Sequence, residues 1–217
     1  MAQEPPAKKT RRTTNYKNAE NKRTSGIVPK TEAQKGLINA IETSSQVIVL
    51  GFAGTGKTYV TATMAADLYT LKKIDKIVIT RPMVSVGKDI GILPGDLGEK
   101  VAPWAMPVLD VLQKHWGKGM LETAIKNGNV EMAPLAMMRG RSFENAFVIA
   151  DEAQNITTAE LKMLLTRIGE GSTIVLNGDV MQPDLKGEDG LSKGAQLAKK
   201  HMLPIPIIEF GVSGIVR

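Results

Sequence analysis

The stretch Gly51-Phe52-Ala53-Gly54-Thr55-Gly56-Lys57-Thr58 fits the pattern G-x-x-x-x-G-K-[ST], which is typical of loops that bind nucleotide phosphates. Residues 46–50 (QVIVL) predict a buried strand before this loop, and residues 57–70 predict a helix after it. The three glycines let backbone N–H groups turn toward one point, which the positive end of the helix also faces. We therefore predict that the eight residues hold a polyphosphate, with Lys57 at the β- and γ-phosphates and Thr58 at Mg²⁺.

A second motif follows another apolar segment. Residues 146–150 (AFVIA) predict a strand that delivers Asp151 and Glu152 at its carboxyl end. Asp151 is expected to hold Mg²⁺ through water, and Glu152 to orient and deprotonate an attacking water. Thr157 and Glu160 have the spacing of a capping box, which predicts a helix that continues to residue 167. Residues 151–156 should therefore form a strand-to-helix crossover at the ligand edge of a sheet.

Two glutamines are candidate nucleotide contacts. Gln34 lies on a predicted helix, residues 29–41, shortly before the phosphate loop, and its amide could pair with adenine. Gln182 follows a predicted strand, residues 172–177, and could sense the γ-phosphate. The alternatives are a solvated helix residue for Gln34 and a polar turn residue for Gln182.

The five arginines beyond residue 30 form the remaining set of candidates. Arg81 follows a predicted strand, residues 76–80, and opens a stretch rich in Gly and Pro that predicts an ordered surface loop through residue 100. It could meet a phosphate of a nucleotide or a nucleic acid, or form a surface ion pair worth under about 1 kcal/mol. Arg139, Arg141 and Arg167 are candidates for nucleic-acid binding or for action on a neighbouring subunit, because guanidinium grips phosphate at two points.

Further helices are predicted over residues 108–116 and 121–126, and short strands over 129–133 and 205–210. Trp104 and Trp116 could stack on bases, but with 4% aromatic residues in the chain we favour a role in the core.

Composition limits the protein class. The 217 residues suit one domain with a tail, and the chain contains no cysteine for a disulfide or a thiolate metal site. We find no apolar run of about 18 residues and no signal peptide, so a cytoplasmic protein without a membrane partner is expected. The net charge is +6, and the first 30 residues hold eight basic and two acidic residues, so the rest is neutral. We predict a disordered basic arm, residues 1–28, which either attracts phosphates or aids solubility, and a domain over residues 29–217.

Several segments resemble PhoH-like ATPases, a family named for phosphate-starvation induction. The segments are GFAGTGKT, ITRPMVSVGKDIGILPGDLGEK, APLAMMRGRSFENAFVIADEAQN, LLTRIGEGSTIVLNGDVMQPDL and FGVSGIVR, which together cover about residues 27–217. The resemblance implies an α/β fold, a single RecA-like P-loop NTPase domain with a mainly parallel sheet flanked by helices. It also assigns Gln182 to γ-phosphate sensing and Arg217 to stabilising the transferring phosphoryl group.

This sequence departs from the family pattern near both of those residues. Pro183 replaces an aliphatic residue, Gly214 replaces an acid, and the chain ends at Arg217, where the family continues. A terminus that frays cannot aim an arginine precisely, and the sequence leaves open whether the chain is truncated after Arg217.

The expected function is ATP hydrolysis coupled to RNA or single-stranded DNA. Related helicases place ATP between two RecA-like domains, whereas this chain has the length of one. We therefore predict a homo-oligomeric ring in which a neighbouring subunit supplies the other wall of the site and an arginine that acts in trans. The resemblance implies that the ring is a hexamer. The alternative is an ATP-gated module that assembles or recruits a nuclease without unwinding. GTP is disfavoured as the substrate because no N-K-x-D motif, which reads guanine, occurs in the sequence. A small-molecule kinase is disfavoured as the protein class because Asp151 and Glu152 equip the site to activate water.

Overall fold

The computed structural model describes residues 26–82, 97–179 and 189–211, and these form one sheet with helices on both faces. The strands are β1 (Gln46–Gly51), β2 (Lys76–Thr80), β3 (Val130–Met132), β4 (Ala146–Ala150), β5 (Thr173–Gly178) and β6 (Ile207–Phe210). Their order is β3-β2-β4-β5-β1-β6, and every neighbouring pair is parallel. The carboxyl ends of β1, β5 and β4 are therefore side by side at one edge, where ligands bind in open α/β sheets.

The described residues include six α-helices, which surround the sheet. They are α1 (Glu32–Thr43), α2 (Lys57–Thr70), α3 (Leu97–Trp116), α4 (Lys118–Lys126), α5 (Thr158–Leu165) and α6 (Gly190–Lys200). Short 3₁₀ helices span Leu135–Met138 and Ala153–Asn155. None of the helices in the described part of the chain combines the length and apolar character that a membrane span requires.

The core has two layers, one on each face of the sheet. Val47 and Val49 pack with apolar residues of α1 to α4, whereas Ile48 points to the other face and packs with α5 and α6. The same alternation in β2, β4 and β5 buries both faces of each strand. Burial on both faces explains why these strands are continuous apolar runs in the sequence.

The predicted fold class is confirmed: the domain is α/β, with a parallel sheet flanked by helices. The helix over residues 57–70 and the strands over 76–80 and 146–150 have the predicted bounds. The predicted capping box is also present, because Thr157 Oγ1 accepts from Glu160 N–H and the Glu160 carboxylate accepts from Thr157 N–H. That box begins α5, which ends at Leu165, two residues before the predicted end.

The prediction of a loop through residue 100 and a helix from residue 108 is wrong, because α3 begins at Leu97. Pro103 and Pro107 lie inside α3 and weaken the sequence signal, since proline lacks the N–H that a helix interior needs. A buried stripe stabilises the helix: Ala105, Val108 and Leu112 have the spacing of one helical face and pack in the core. Tertiary burial therefore outweighs local propensity here. Residues 83–96 of the predicted loop lie outside the described residues.

Candidate nucleotide-binding site

The phosphate loop connects β1 to α2 and has the predicted backbone conformation. Gly54 and Gly56 have φ angles of 77° and 87°, which L side chains rarely adopt. Gly56 precedes the first residue of α2, and no side chain caps that end of the helix. The first N–H groups of α2 therefore face the loop without a side-chain acceptor, which is the arrangement that attracts an anion.

Lys57 lies at the base of this loop. Its Nζ donates to the carbonyl oxygens of Gly51 at 2.5 Å and Phe52 at 2.6 Å, and the residue is only 9% exposed. Burial lowers the pKa of Lys57, while the negative charges of Asp179, Asp151 and Glu152 act in the opposite direction. The ammonium group is thus held in the loop by backbone carbonyls, beside carboxylates that favour its charged form.

Thr58 and Asp151 bring two oxygen atoms together. Thr58 Oγ1 donates to Asp151 Oδ1 at 3.1 Å, which joins the start of α2 to the carboxyl end of β4. Burial and the neighbouring Glu152 raise the pKa of Asp151, and the Thr58 hydroxyl lowers it less. A bound cation would offset the cost of this buried carboxylate.

Mg²⁺ fits this oxygen pair, because it prefers hard oxygen ligands and keeps several waters. No group of three or more His, Cys, Asp or Glu side chains that could hold a metal ion occurs among the described residues. Water and phosphate oxygens would have to complete the coordination shell around Thr58 and Asp151.

Glu152 follows Asp151 with an uncommon backbone conformation. Its φ of 52° and ψ of 39° lie in the left-handed region, which non-glycine residues occupy mostly where surrounding contacts hold them. Glu152 Oε2 accepts from Gln154 Nε2 at 2.6 Å, and Oε1 lies 3.9 Å from Arg81 Nη2. Two different groups therefore contact the two oxygens of this carboxylate.

Asp179 approaches the loop from the end of β5. Its Oδ2 accepts from the Ala53 N–H at 3.0 Å, and its own N–H donates to Gln154 Oε1 at 3.0 Å. The residue thus contacts the phosphate loop through its side chain and the turn after β4 through its backbone.

These groups line one open cleft of about 310 Å³ at the carboxyl edge of the sheet. The lining residues are Ala53, Gly54, Gly56, Lys57, Thr58, Tyr59, Pro107, Asp151, Glu152, Gln154, Asn177, Gly178 and Asp179. Both predicted motifs therefore meet in the same cavity, with polar groups converging as in a ligand site.

A family model described as PhoH-like protein matches residues 26–217 of the chain. The chain belongs to the PhoH-like family. It is 43% identical over 198 residues to Protein PhoH of Escherichia coli K12, which covers 89% of this chain and 56% of that protein. It is 42% identical over 204 residues to the PhoH-like protein of Bacillus subtilis 168, which covers 93% of this chain and 62% of that protein. The chain therefore spans between 56% and 62% of the length of these two relatives.

Solved structures give weaker similarities. The chain matches the SWI2/SNF2 ATPase core of Sulfolobus solfataricus in complex with dsDNA with a TM-score of 0.48, 13% identity and coverage of 82% of this chain and 43% of that chain. It matches Pif1 helicase of Candida albicans with a TM-score of 0.42, 16% identity and coverage of 85% and 40%. At these TM-scores neither similarity bears on the function of this PhoH-like chain.

The predicted arginines separate into different environments. Arg81 lies beside Glu152 at the cleft. Arg141 instead makes two hydrogen bonds to Glu131, at 2.5 and 2.9 Å, and its guanidinium lies 4.9 Å from the centre of the Phe143 ring. Arg167 is half-buried and donates to the Arg141 carbonyl at 3.4 Å, whereas Arg139 is exposed. Among these four, only Arg81 reaches the Glu152 carboxylate in the described structure.

Gln34 is buried behind the phosphate loop. Its Oε1 accepts from the Lys30 N–H at 2.7 Å, and its Nε2 donates to the Thr55 carbonyl at 3.4 Å. In this PhoH-like domain both ends of the amide are used by the protein, and adenine pairing by Gln34 stays a prediction. Trp104 packs against the core, and Trp116 does so with its Nε1 donating to Thr70 Oγ1 at 3.0 Å, as a role in the core predicts.

Gln182 and Arg217 lie outside the described residues, so their assigned roles stay predictions. Sequence reasoning missed Gln154 and Asp179, although both belong to quoted family segments. Gln154 comes two residues after Glu152, and Asp179 comes directly after a strand that borders the phosphate loop. Both positions could have been singled out, because polar residues at the carboxyl ends of adjacent parallel strands meet at one edge.

Proposed function

We propose that this PhoH-like domain binds ATP with Mg²⁺ and hydrolyses it in the cleft. The observation that carries the proposal is the meeting of three groups in one cavity: Lys57 in the phosphate loop, the oxygen pair of Thr58 and Asp151, and the Glu152 carboxylate. The negative charge of a triphosphate complements Lys57 and the N–H groups of the loop. The cavity therefore combines a polyphosphate site with a general base.

In this mechanism, Lys57 exchanges its backbone carbonyl partners for oxygens of the β- and γ-phosphates. Mg²⁺, when held by Thr58 and Asp151, supplies charge neutralisation on the phosphate oxygens. Glu152 accepts a proton from the water that attacks the γ-phosphorus. The bond between that phosphorus and the bridging oxygen breaks, which releases ADP and phosphate.

We also propose that ATP turnover is coupled to RNA or single-stranded DNA. The excess of basic residues in the first 30 positions supports this coupling, since each neutralised phosphate releases counterions. Because the remaining residues are neutral overall, recruitment of a nuclease by an ATP-gated module is the second candidate. The homohexameric ring and the trans-acting arginine stay predictions.

ATP turnover by wild type and Glu152→Gln tests the proposed chemistry. We expect kcat to fall by about 10² to 10⁴, because the variant lacks the group that accepts the proton. Glu122→Gln is the matched control, since Glu122 is exposed on α4 and is not among the residues that line the cleft. Wild type without ATP turnover, or Glu152→Gln with wild-type kcat, would contradict the proposal.

Single-stranded RNA or DNA is then added to the same assay, followed by a strand-displacement assay on a tailed duplex. Stimulated turnover with displacement supports a remodelling enzyme. Stimulation without displacement favours the ATP-gated module. If neither polymer changes turnover, the proposed coupling to nucleic acid is wrong while the ATPase proposal stands.

A further inference from the structure

We propose that Gln154 is a positioning residue for Glu152, and that Asp179 anchors Gln154 to the phosphate loop. The inference rests on the proposed ATPase function, since it concerns how the general base is held. Gln154, Asp179 and Ala53 together form what we call the loop relay: a chain of hydrogen bonds from the Glu152 carboxylate to the phosphate loop.

Gln154 is suited to this role because both ends of its side-chain amide are used. The residue is 3% exposed, its Nε2 donates to Glu152 Oε2 at 2.6 Å, and its Oε1 accepts from the Asp179 N–H at 3.0 Å. A glutamine offers a donor and an acceptor on one rigid group, which neither glutamate nor leucine can reproduce. The loop relay therefore depends on the amide and not only on the volume of residue 154.

The segments that carry Gln154 and Asp179 pack closely against each other. Gly178 precedes Asp179, and a Cβ added to Gly178 would lie 3.1 Å from the backbone nitrogen of Gln154 and would overlap Leu191. The end of β5 thus lies directly against the 3₁₀ turn that carries Gln154. There is no space for a side chain between these two segments, which is consistent with the direct bond between Gln154 and Asp179.

Asp179 completes the connection to the loop. Its carboxylate accepts from the Ala53 N–H, in the same cleft as Lys57. The relay consequently fixes Glu152 relative to the segment that would hold the phosphates. That relative position matters because a misplacement of about 1 Å can reduce a rate by about 10²-fold.

The contact of Glu152 with Arg81 is a weaker constraint. It spans 3.9 Å between side chains that are 31% and 38% exposed, whereas the bond from Gln154 is short and its donor residue is buried. Solvent screening weakens exposed ion pairs. We therefore assign the orientation of the carboxylate to Gln154. The left-handed backbone of Glu152 is consistent with a residue held by its surroundings.

Gln154→Leu tests the inference through ATP turnover and through binding of a fluorescent ATP analogue. We expect kcat to fall about 10- to 100-fold while the Kd for the analogue stays within about 2-fold, because the relay acts on the base and not on the phosphate contacts. Gln113→Leu on the exposed surface of α3 is the matched control. If Gln154→Leu does not fold, Gln154→Glu gives the same test, since it keeps the acceptor for Asp179 and removes the donor to Glu152.

A double variant separates positioning from a general structural role. In the Glu152→Gln background, adding Gln154→Leu should lower the residual kcat by less than about 2-fold. If Gln154 acts only through the Glu152 carboxylate, its effect on kcat disappears once that carboxylate is removed. Asp179→Ala should also lower kcat, and Asp179→Asn should restore most of it, since Asn retains an acceptor for Ala53.

The possible failures are distinguishable. Wild type without ATP turnover contradicts the proposed function itself. An active wild type with an equally active Gln154→Leu, or an equal loss of kcat in both backgrounds, overturns the positioning role alone.

Discussion

Two clusters of charged side chains differ in their ratio of acidic to basic groups. One cluster lies in the cleft, where carboxylates are in excess, and the other lies at the edge strand of the sheet, where cations are in excess. The described residues that line the cleft include three carboxylates, Asp151, Glu152 and Asp179, and one cation, Lys57. At the edge strand β3, a single carboxylate, Glu131, contacts two cations. Lys76 donates to it at 3.1 Å, and Arg141 donates to both of its oxygens. We call this second group the edge cluster.

The pKa shifts reflect that difference. Hydrogen bonds from Arg141 and Lys76 lower the pKa of Glu131, so the folded protein favours its charged form. Burial raises the pKa of Asp151 and lowers that of Lys57, so the cleft disfavours the charged forms of both groups. In the edge cluster, Lys76 and Arg141 neutralise the charge of Glu131. In the cleft, a bound cation would stabilise the carboxylates and a bound anion would stabilise Lys57. A cluster of charged side chains therefore indicates a candidate ligand site only where the fold disfavours the charged forms, as it does for Asp151 and Lys57.

Among the differences expected between the two clusters, the largest is in the effect on kcat of removing a cation. Lys57→Met should lower the kcat for ATP by about 10² to 10³, because preorganised charge in a partly buried site contributes strongly to the transition state. Lys76→Met in the edge cluster should leave kcat within about 2-fold, since Lys76 is not among the residues that line the cleft. Steady-state ATP turnover with Mg²⁺ measures both. Equal losses of activity would remove the functional distinction between the clusters.

A smaller effect concerns stability. Glu131→Gln should reduce the free energy of unfolding by about 1 to 2 kcal/mol at about pH 7, because Arg141 and Lys76 lose a charged partner. The pKa of Glu131 is lowered in the folded state, so its contribution is present above the unfolded value of about 4.5 and disappears as pH falls through the folded value. Urea unfolding of wild type and variant, measured from about pH 7 downward, should show the difference shrink as the pH falls below about 4.5.

Asp151→Asn is the counterpart in the cleft and should have the opposite sign. Because burial raises the pKa of Asp151, its charge costs stability near pH 7, and the Asn oxygen can still accept from Thr58 Oγ1. Without Mg²⁺ or nucleotide, the variant should be more stable by about 0.5 to 2 kcal/mol, as is common where function requires a buried charge. If Asp151→Asn destabilised the protein as Glu131→Gln does, the contrast between the two clusters would be wrong.

Much of the fold follows from the sequence, because β1, β2, β4 and β5 are buried on both faces and therefore read as uninterrupted apolar runs. The beginning of α3 could not be predicted, since Pro103 and Pro107 oppose a helix locally while burial against the core stabilises it. The local sequence pattern indicates only the helix propensity of this segment, whereas α3 is stabilised by packing against residues distant in the sequence.

The candidate site also contains residues that the sequence could predict and residues that it could not. The motif residues Lys57, Thr58, Asp151 and Glu152 line one cleft, because the phosphate-loop pattern has fixed spacing and the ends of parallel strands share an edge. The roles of single arginines could not be predicted. Whether an arginine meets an internal carboxylate depends on tertiary contacts that the local pattern does not encode. Arg141 pairs with Glu131 on the edge strand, whereas Arg81 lies beside Glu152 at the cleft.

The smallest expected effect is that of Arg81→Ala, for which Arg141→Ala is the comparison. Arg81→Ala should change the free energy of unfolding by less than about 0.5 kcal/mol, because its contact with Glu152 is long and partly exposed. Arg141→Ala should cost about 1 to 3 kcal/mol, because it breaks a two-point bond to Glu131 and a contact with Phe143. Urea unfolding of both variants measures the difference. A large loss of stability in Arg81→Ala would mean that Arg81 holds the fold as Arg141 does. An unchanged stability leaves its guanidinium free to exchange Glu152 for a phosphate.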